Sequence, residues 1–350
     1  MTVSRMISDE ATNTPRQMEG SSRPRSPHEW TDAEIAALVG DLESVYGGEL
    51  TAAALVGIGP RVIPYVRDFL LNGAPRSVYQ PRQRAVEVLG ELGAKDLLIA
   101  YLLEEREIPD PVLQHAEDVV KSATGRELAR WKTEDVFQAL REMARRKHLP
   151  GIVESLGEFR RPEVAGYFVE ALGDGDCRAE AREALRKLGE SARTAVLIAA
   201  VMPQPSAEEE SPSSRIRRRE AVRLLSEWKL PASDWTRTKP LLDDPDPEIN
   251  VHAAQIALAI APEADRTTAF RRLIAGLRTG DGFLQMEADG ILRRNYPQLR
   301  SAIGAEIAVR MQKPERERCA DRVLRVLLNI REQEAKRADR EVSGDRGATP

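Results

Sequence analysis

Cysteine, aromatic residues and long apolar runs are scarce in this chain. Its two cysteines, Cys177 and Cys319, are too few and too far apart for a disulfide framework or a zinc site. We therefore expect two small buried thiols. Aromatic residues make up 5% of the chain, and runs of strand-forming residues are nearly absent, which argues against a sheet protein. No stretch approaches ~20 apolar residues, so we expect no membrane-spanning helix.

The charge is abundant but nearly balanced. Charged residues make up 31% and hydrophobic residues 41%, with a net charge of -4. Mixed charge at this level is typical of amphipathic helices. A nucleic-acid binder is more often basic, so we expect no nucleic-acid partner. The N-terminus lacks the apolar core of a secretion signal, which makes the cytoplasm the expected location.

Signatures of catalysis are missing as well. There is no Gly-x-Ser-x-Gly turn and no phosphate-cradling glycine loop. The histidines are scattered along the chain, although a metal site needs ligands that converge. They are His28, His115, His148 and His252. We expect no catalytic residue, no metal and no cofactor, and hence a protein that is not an enzyme.

Glycine recurs after apolar segments at a nearly fixed interval. The glycines are Gly59, Gly93, Gly125, Gly157 and Gly189, at intervals of 34, 32, 32 and 32 residues. Glycine just past a helix end adopts a left-handed conformation at little steric cost, so each glycine predicts a helix end. A similar spacing of predicted helix ends continues near Trp228, Ala261 and Tyr296, where no glycine marks the end. This period is typical of arrays whose units stack on their neighbours.

Each period is long enough for two helices. Residues 82–92 and 95–104 both place apolar side chains at helical spacing. Thr31 and Glu34 have the spacing of a capping box, and Asp110 before Pro111 is typical of a helix start. A second Asp-Pro pair stands at 246–247. We predict an all-α fold, a right-handed α-solenoid of roughly seven or eight stacked helical pairs.

Three stretches resemble HEAT repeats. They are residues 168–189, 241–258 and 82–93. In that family an early arginine on one helix commonly links to the neighbouring unit. Arg82, Arg178 and Arg218 match this position, whereas Asn250 and Gln285 depart from it, so we expect an incomplete ladder in the C-terminal half. The resemblance covers about residues 50–310 and implies the fold. It does not imply one activity, because the family includes adaptors, phosphatase scaffolds, bilin lyase chaperones, a di-iron hydroxylase and DNA glycosylases.

Composition divides the chain further. We predict a disordered tail over 1–28, an N-terminal stack of HEAT-like repeats over 29–202, an acidic flexible insertion over 203–214, a C-terminal stack over 215–334 and a disordered tail over 335–350. An arginine cluster follows the insertion, at 215, 217, 218, 219 and 223. The acidic segment either folds back on this cluster or leaves it solvated, and we favour the solvated arrangement.

The second helix of each pair lines the concave side of such a solenoid, where partners usually bind. Tyr and Arg, which are enriched at interface hot spots, recur on these helices. They are Tyr65, Arg67, Tyr101, Arg141, Arg145, Arg146, Tyr167, Arg271, Arg272 and Arg310. We predict a non-catalytic protein-binding scaffold or adaptor whose partner is another protein, with an acidic peptide or surface as its ligand.

Two alternatives remain open. One is an accessory role like that of the lyases or chaperones, which rests on the resemblance alone. The other is a HEAT-like DNA glycosylase. Trp131 and Asp135 lie four residues apart, on one face of a predicted helix, and several basic residues follow. In that family a tryptophan and a nearby aspartate act at a cationic groove, and the acidic overall charge argues against this alternative.

Overall fold

The computed structural model describes residues 29–44, 47–74, 76–206, 209–279 and 281–344. The first helices are α1 (Asp32–Asp41), α2 (Gly48–Ile58), α3 (Ile63–Asn72), α4 (Gln80–Glu91), α5 (Lys95–Leu103), α6 (Pro111–Leu128), α7 (Glu134–Arg146), α8 (Pro150–Phe159) and α9 (Ala165–Ala171). They are followed by α10 (Arg178–Leu188), α11 (Arg193–Val201), α12 (Pro212–Glu227), α13 (Trp235–Thr238), α14 (Pro247–Ile260), α15 (Glu263–Arg278), α16 (Gly282–Arg294), α17 (Tyr296–Met311), α18 (Glu315–Ala320) and α19 (Arg322–Gly344). A hairpin of two short strands, β1 (Pro205–Ser206) and β2 (Glu209–Glu210), lies between α11 and α12.

The helices form two layers. In the first layer, the even-numbered helices from α2 to α16 pack each against the next. In the second layer, α5 packs against α7, and α11 packs against α9 and α13. The described residues thus form eight successive helical pairs, from α2–α3 to α16–α17. Helix α1 packs on the first pair, and α19 packs on α15 and α17. This arrangement confirms the predicted all-α solenoid.

One hydrophobic core runs through the array. It begins at Ile35 in α1 and ends at Ile330 in α19. The core is not interrupted at the hairpin, because α11 and α12 pack directly against each other across it. Burial of this apolar surface between the two layers is the main stabilising contribution. None of the described helices is both long and apolar enough to cross a membrane.

Most predicted helix starts are confirmed. Thr31 and Glu34 form the capping box at the start of α1. The carboxylate of Asp110 accepts the backbone N–H groups of Val112 and Leu113 at 2.8 and 3.3 Å, and Asp246 caps α14 in the same way. These side chains satisfy amide groups that have no partner inside the helix.

The predicted glycine stops are only partly confirmed. Gly59, Gly93 and Gly189 follow helices and have positive φ angles of 89°, 75° and 58°. Gly125 and Gly157 instead lie inside α6 and α8, so their assignment as helix ends is wrong. They are needed for space: a Cβ on Gly125 would lie 2.6 Å from Ile152 Cδ1, and one on Gly157 would lie 2.9 Å from Ala184 Cβ.

The chain ends and the cysteines also differ from expectation. The predicted tail over 1–28 lies outside the described residues. At the other end α19 continues to Gly344, so residues 335–344 are helical and not disordered. Cys177 is buried as expected, but Cys319 is exposed, because the short helix α18 lies outside the core.

A ladder of side chains links successive pairs at six of the seven junctions, the exception among the described residues being the junction between α7 and α8. Each of these side chains belongs to a first-layer helix. It donates a hydrogen bond to a backbone carbonyl at the end of the second-layer segment that precedes this helix in the chain. The donors are Arg82, Lys121, Arg178, Arg218, Asn250 and Gln285. The last carbonyls of a helix lack intrahelical partners, so these bonds satisfy groups that would otherwise be unpaired. The prediction of an incomplete ladder in the C-terminal half is wrong, since the amides of Asn250 and Gln285 replace arginine.

Candidate functional site

All ten residues predicted to bind a partner lie on second-layer helices. Tyr65 and Arg67 are on α3, and Tyr101 is on α5. The others occupy α7, α9, α15 and α17, and they are Arg141, Arg145, Arg146, Tyr167, Arg271, Arg272 and Arg310. They share a layer, but their surroundings differ.

Tyr101 is wrongly assigned to a binding surface. Its side chain is fully buried, and its hydroxyl donates to Glu117 Oε1 at 2.6 Å. Burial and the adjacent carboxylate raise the pKa of Tyr101 well above its usual value. It therefore belongs to the core and cannot contact a partner at the surface.

Several of the predicted arginines are engaged within the molecule. Arg146 donates to the carbonyl of Leu103 at 2.9 Å and pairs with Glu105 at 3.1 Å. Arg145 pairs with Glu142 on its own helix, and Arg272 pairs with Asp243 at 2.5 Å. Arg310 is held by Glu306 and Asp321. Their charges are already neutralised, which weakens their attraction for an acidic ligand.

The remaining predicted residues do not form a cluster. Tyr65 and Tyr167 are half-buried, and burial raises the pKa of Tyr167. Arg67, Arg141 and Arg271 make no side-chain hydrogen bond or ion pair with any other residue that the structure describes. They lie on α3, α7 and α15, with other second-layer helices between them. The structure does not bring them together.

A groove is present elsewhere in the same layer, between α9 and α11. It encloses a cavity of about 330 Å³. Two apolar side chains stand open on it: Ile198 in α11 is 43% exposed, and Met202, directly after α11, is 59% exposed. The residues lining the cavity are Gly166, Val169, Glu170, Ala195, Ile198, Ala199, Met202, Pro203, Gln204 and Arg217. Exposed apolar side chains around a concave surface often mark a protein-binding site.

An ion pair forms the floor of this groove. Arg217 of α12 is 4% exposed, and its Nη1 donates to both carboxylate oxygens of Glu170 at 2.7 and 2.9 Å. Its Nη2 donates to the carbonyl of Met202 at 3.3 Å. The guanidinium thus fixes the end of α11 against α9. The Glu170 side chain itself is half-exposed and faces solvent at the groove.

A second, polar cavity of about 270 Å³ continues the groove and shares Glu170, Gln204 and Arg217 with it. Here Nδ1 of His148 lies 3.8 Å from Oδ2 of Asp174. The ring of His148 also packs against Tyr167, with ring centroids 5.2 Å apart. We call the two cavities together the α9–α11 groove. It has an apolar end at Ile198 and Met202 and an acidic end at Glu170 and Asp174.

The segments on either side of the hairpin line the groove, with Pro203 and Gln204 before β1 and Ser213 and Ser214 after β2. The N–H of Ser211 donates to the carbonyl of Gln204 at 3.1 Å. Glu210 accepts from Arg218 Nη1 at 2.9 Å and from the hydroxyl of Ser214 at 2.8 Å. Residues 203–206 and 209–214 are therefore ordered by hairpin and helix hydrogen bonds, which corrects the prediction of a flexible insertion.

The solvated interpretation of the arginine cluster is also wrong. Arg217 and Arg218 are buried, and Arg218 pairs with Glu210 and Asp244. Arg219 pairs with Asp246 at 2.7 Å, and Arg223 pairs with Glu287 at 3.1 Å. Glu210 folds back onto Arg218 because the buried guanidinium would otherwise pair with Asp244 alone.

The residues of the glycosylase alternative lie apart from this groove. Trp131 precedes α7 and packs against the core, so it does not share a helix face with Asp135. Asp135 pairs with Lys95 at 2.5 Å, and this ammonium lowers the pKa of Asp135 to about 2. The helix face predicted to carry both Trp131 and Asp135 is therefore wrong.

The described residues contain no group of three or more His, Cys, Asp or Glu side chains arranged to hold a metal ion. His252 is fully enclosed in α14, and neither ring nitrogen has a hydrogen-bond partner among the described residues. Burial lowers the pKa of His252 to about 4, so the ring is neutral near neutral pH.

Sequence reasoning missed the groove, although one signal was present. Residues 195–201 are apolar around the whole circumference of α11, and Met202 continues this run, beyond what one buried face requires. When neighbouring helices cover only one side of such a helix, some of its apolar side chains remain exposed. Ile198 and Met202 are the residues left open here.

No protein-family model and no curated protein matches the chain. Among solved structures, human deoxyhypusine hydroxylase in complex with glycerol matches 76% of this chain and 96% of its own, at 17% identity and a TM-score of 0.28. The prediction that the chain is not an enzyme is contradicted by this neighbour, which is an enzyme, and we withdraw it. A likeness of this extent assigns no activity to the chain.

Proposed function

We propose that the chain is a HEAT-like protein-binding scaffold that holds a segment of another protein in the α9–α11 groove. The observation that supports this proposal is the exposure of Ile198 and Met202 beside a cavity of about 330 Å³ on the second-layer helices. Burying these side chains against a partner would remove apolar surface from water. The cytoplasmic location stays a prediction.

The charges of the groove favour a particular partner segment. At the acidic end Glu170 is already paired with Arg217, whereas Asp174 forms no ion pair with a Lys or Arg among the described residues and lies 3.8 Å from Nδ1 of His148. A ligand with an apolar side chain for α11 and a basic side chain for the acidic end would complement both. This replaces the acidic ligand that the arginine pattern suggested, since many of those arginines are paired internally.

The lyase-like accessory role and the glycosylase alternative gain no support from the geometry. Trp131 and Asp135 are held by separate contacts within the molecule. Both alternatives rest only on resemblance or spacing.

Binding of the full chain to an array of random short peptides tests the proposal. We expect hits with an apolar residue near Lys or Arg. Met202→Glu and Ile198→Asp should weaken the best hits by about tenfold or more, because a charge would enter the apolar end. Met286→Glu is the matched control, since Met286 on α16 is 62% exposed, close to the 59% of Met202.

Two outcomes would overturn this proposal. One is an array without hits for the folded wild-type chain. The other is equal binding by wild type, Met202→Glu and Ile198→Asp, which would place the ligand elsewhere. A pull-down from the source cell read by mass spectrometry then identifies the partner, provided that Met202→Glu loses it and Met286→Glu retains it.

A further inference from the structure

A larger cavity, of about 490 Å³, lies at the C-terminal end of the array and shares no residue with the α9–α11 groove. The end of α15, the end of α17 and the start of α19 line it. Four lining residues are cationic and two are anionic, which gives a net charge of +2. The cations are Arg278, Arg310, Lys313 and Arg322, and the anions are Glu317 and Asp321. We call it the basic cavity.

Arg310 is fixed in this cavity. Its Nε donates to Glu306 at 2.7 Å, and its Nη1 donates to both oxygens of Asp321 at 2.9 and 2.8 Å. Its side chain is 11% exposed. Nη2 makes no hydrogen bond with the described part of the chain, so one edge of an immobilised guanidinium keeps its donors unused. A donor that is already immobilised loses little entropy when a ligand binds.

Asp321 holds Arg310 in place at all ordinary pH values. Burial alone would raise the pKa of Asp321, but the backbone N–H of Leu324 at 3.0 Å and the side chains of Arg310 and Lys313 lower it to about 2. The carboxylate therefore remains ionised, and its charge is offset by Arg310 and by Lys313 at 3.1 Å.

Arg278 and Arg322 are the exposed arginines of the basic cavity. Neither pairs with a carboxylate among the described residues. Arg271 on α15 and Arg325 on α19 are also without such a pair, but they do not line the cavity. Two unpaired guanidiniums beside one cavity repel each other, and a bound anion would remove that repulsion.

We propose that the basic cavity binds a phosphoryl group, with Arg278 and Arg322 supplying the charge that no carboxylate offsets and Nη2 of Arg310 supplying a fixed hydrogen-bond donor. A phosphoryl group carries close to two negative charges near neutral pH and offers three acceptor oxygens. With Glu306 counted as the partner of Arg310, the site keeps one excess positive charge, and the phosphoryl oxygens match several guanidinium donors. A carboxylate carries half the charge of a phosphoryl group.

Calorimetric titration of the full chain tests the assignment, with inorganic phosphate, pyrophosphate and N-acetylphosphoserine amide as probes. We expect saturable binding of at least one probe. Arg278→Glu and Arg322→Glu should each weaken it by about tenfold or more. Both residues are exposed and unpaired, so folding should be unaffected. Arg325→Glu is the matched control, because Arg325 is exposed on α19 and does not line the cavity.

The probes separate two sources of the phosphoryl group. Tighter binding of N-acetylphosphoserine amide than of inorganic phosphate indicates a phosphorylated chain. Preference for pyrophosphate indicates a small phosphate compound. The proposal is overturned if none of the probes binds saturably at millimolar concentration. It is equally overturned if Arg325→Glu weakens binding as much as Arg322→Glu, since the anion would then follow the charge of the surface.

Discussion

The hydroxyl of Tyr101 lies 2.6 Å from Oε1 of Glu117 and donates its hydrogen to that carboxylate inside the core. Arg82 forms a buried ion pair with the same carboxylate and also donates to the carbonyl of Leu70 at 2.9 Å. Burial of Glu117 alone would raise its pKa, but Arg82 and Tyr101 outweigh this effect and lower it. The network joins α3, α4, α5 and α6.

We predict that Tyr101→Phe lowers the free energy of unfolding by about 1–3 kcal/mol, because one oxygen of a buried carboxylate loses its donor. Urea denaturation followed by circular dichroism measures the change. Tyr296→Phe is the control, since no hydrogen bond from the Tyr296 hydroxyl is present in the described part of the chain. An equal loss in both variants would show that the network does not stabilise the fold. Peptide binding in the groove should be unchanged in Tyr101→Phe.

Close packing of α6 and α8 gives a second prediction. A Cβ on Gly151 would collide with the backbone carbonyl of Ser122. Gly151→Ala should therefore destabilise the protein by about 1–3 kcal/mol. Gly304→Ala should have the opposite sign, about 0.5–1 kcal/mol more stable, because Gly304 in α17 has open space around its Cα. Thermal unfolding of the two variants compares them, and a stabilised Gly151→Ala would contradict the close approach.

His252 predicts a pH dependence of stability. Its pKa is lowered from 6.5 to about 4 by burial and by Arg223 and Arg294. The unfolded chain therefore takes up the proton first as the pH falls. The contribution of the neutral ring is complete above about pH 6.5 and is lost between about pH 6.5 and 4, at about 1.4 kcal/mol per pH unit within that window.

Urea denaturation at several pH values measures this slope. His252→Leu removes the titrating group and should flatten the curve between about pH 6.5 and 4. The control is His115→Leu, which replaces an exposed histidine on α6 and should leave the slope in place. An unchanged slope in His252→Leu would assign the acid sensitivity to other groups.

The two cysteines should react differently with a thiol reagent. Cys177 is buried, and burial raises its pKa to about 12, so the thiolate that reacts is scarce. Cys319 is exposed. The folded chain should therefore be labelled only at Cys319, and the denatured chain at both positions. Peptide mass mapping identifies the labelled site, and rapid labelling of Cys177 without denaturant would show that α10 opens locally.

Glu210→Gln tests the closure of the hairpin. The substitution removes the charge that pairs with Arg218 at 2.9 Å and keeps an oxygen for Ser214. Exchange of the Ser211 amide hydrogen should accelerate by about tenfold, because the hairpin opens more often. The internal reference is the backbone N–H of Asn250 in α14, which donates to the backbone carbonyl of Asp246. Equal exchange at Ser211 in both proteins would mean that Glu210 does not hold the hairpin.

Local features of the fold were readable in the sequence. The caps at Thr31 and Asp110 involve residues within a few positions of each other, so their spacing was sufficient. Gly59 and Gly125 look alike in sequence, yet one ends a helix and the other makes room for Ile152. That difference is decided by a contact between two repeats, which local spacing does not contain.

The site was harder to predict for the same reason. Arg217 meets Glu170, which lies 47 residues away, and Arg218 meets Asp244, which lies 26 residues away. From the sequence these arginines resembled a solvated cluster, because their partners belong to other repeats. The exposure of Ile198 and Met202 depends equally on how far α9 extends beside α11.

The contacts of Arg217 and Arg218 have a consequence for dividing the chain. Arg217 and Arg218 reach back across the hairpin to Glu170 and to the carbonyls of Met202 and Ala200. If the chain were divided at the hairpin, one polypeptide would carry the arginine donors and the other would carry their acceptors. Fragments 1–206 and 209–350, produced together in one cell, should therefore reassemble without a linker, which makes the hairpin a natural position for a split reporter.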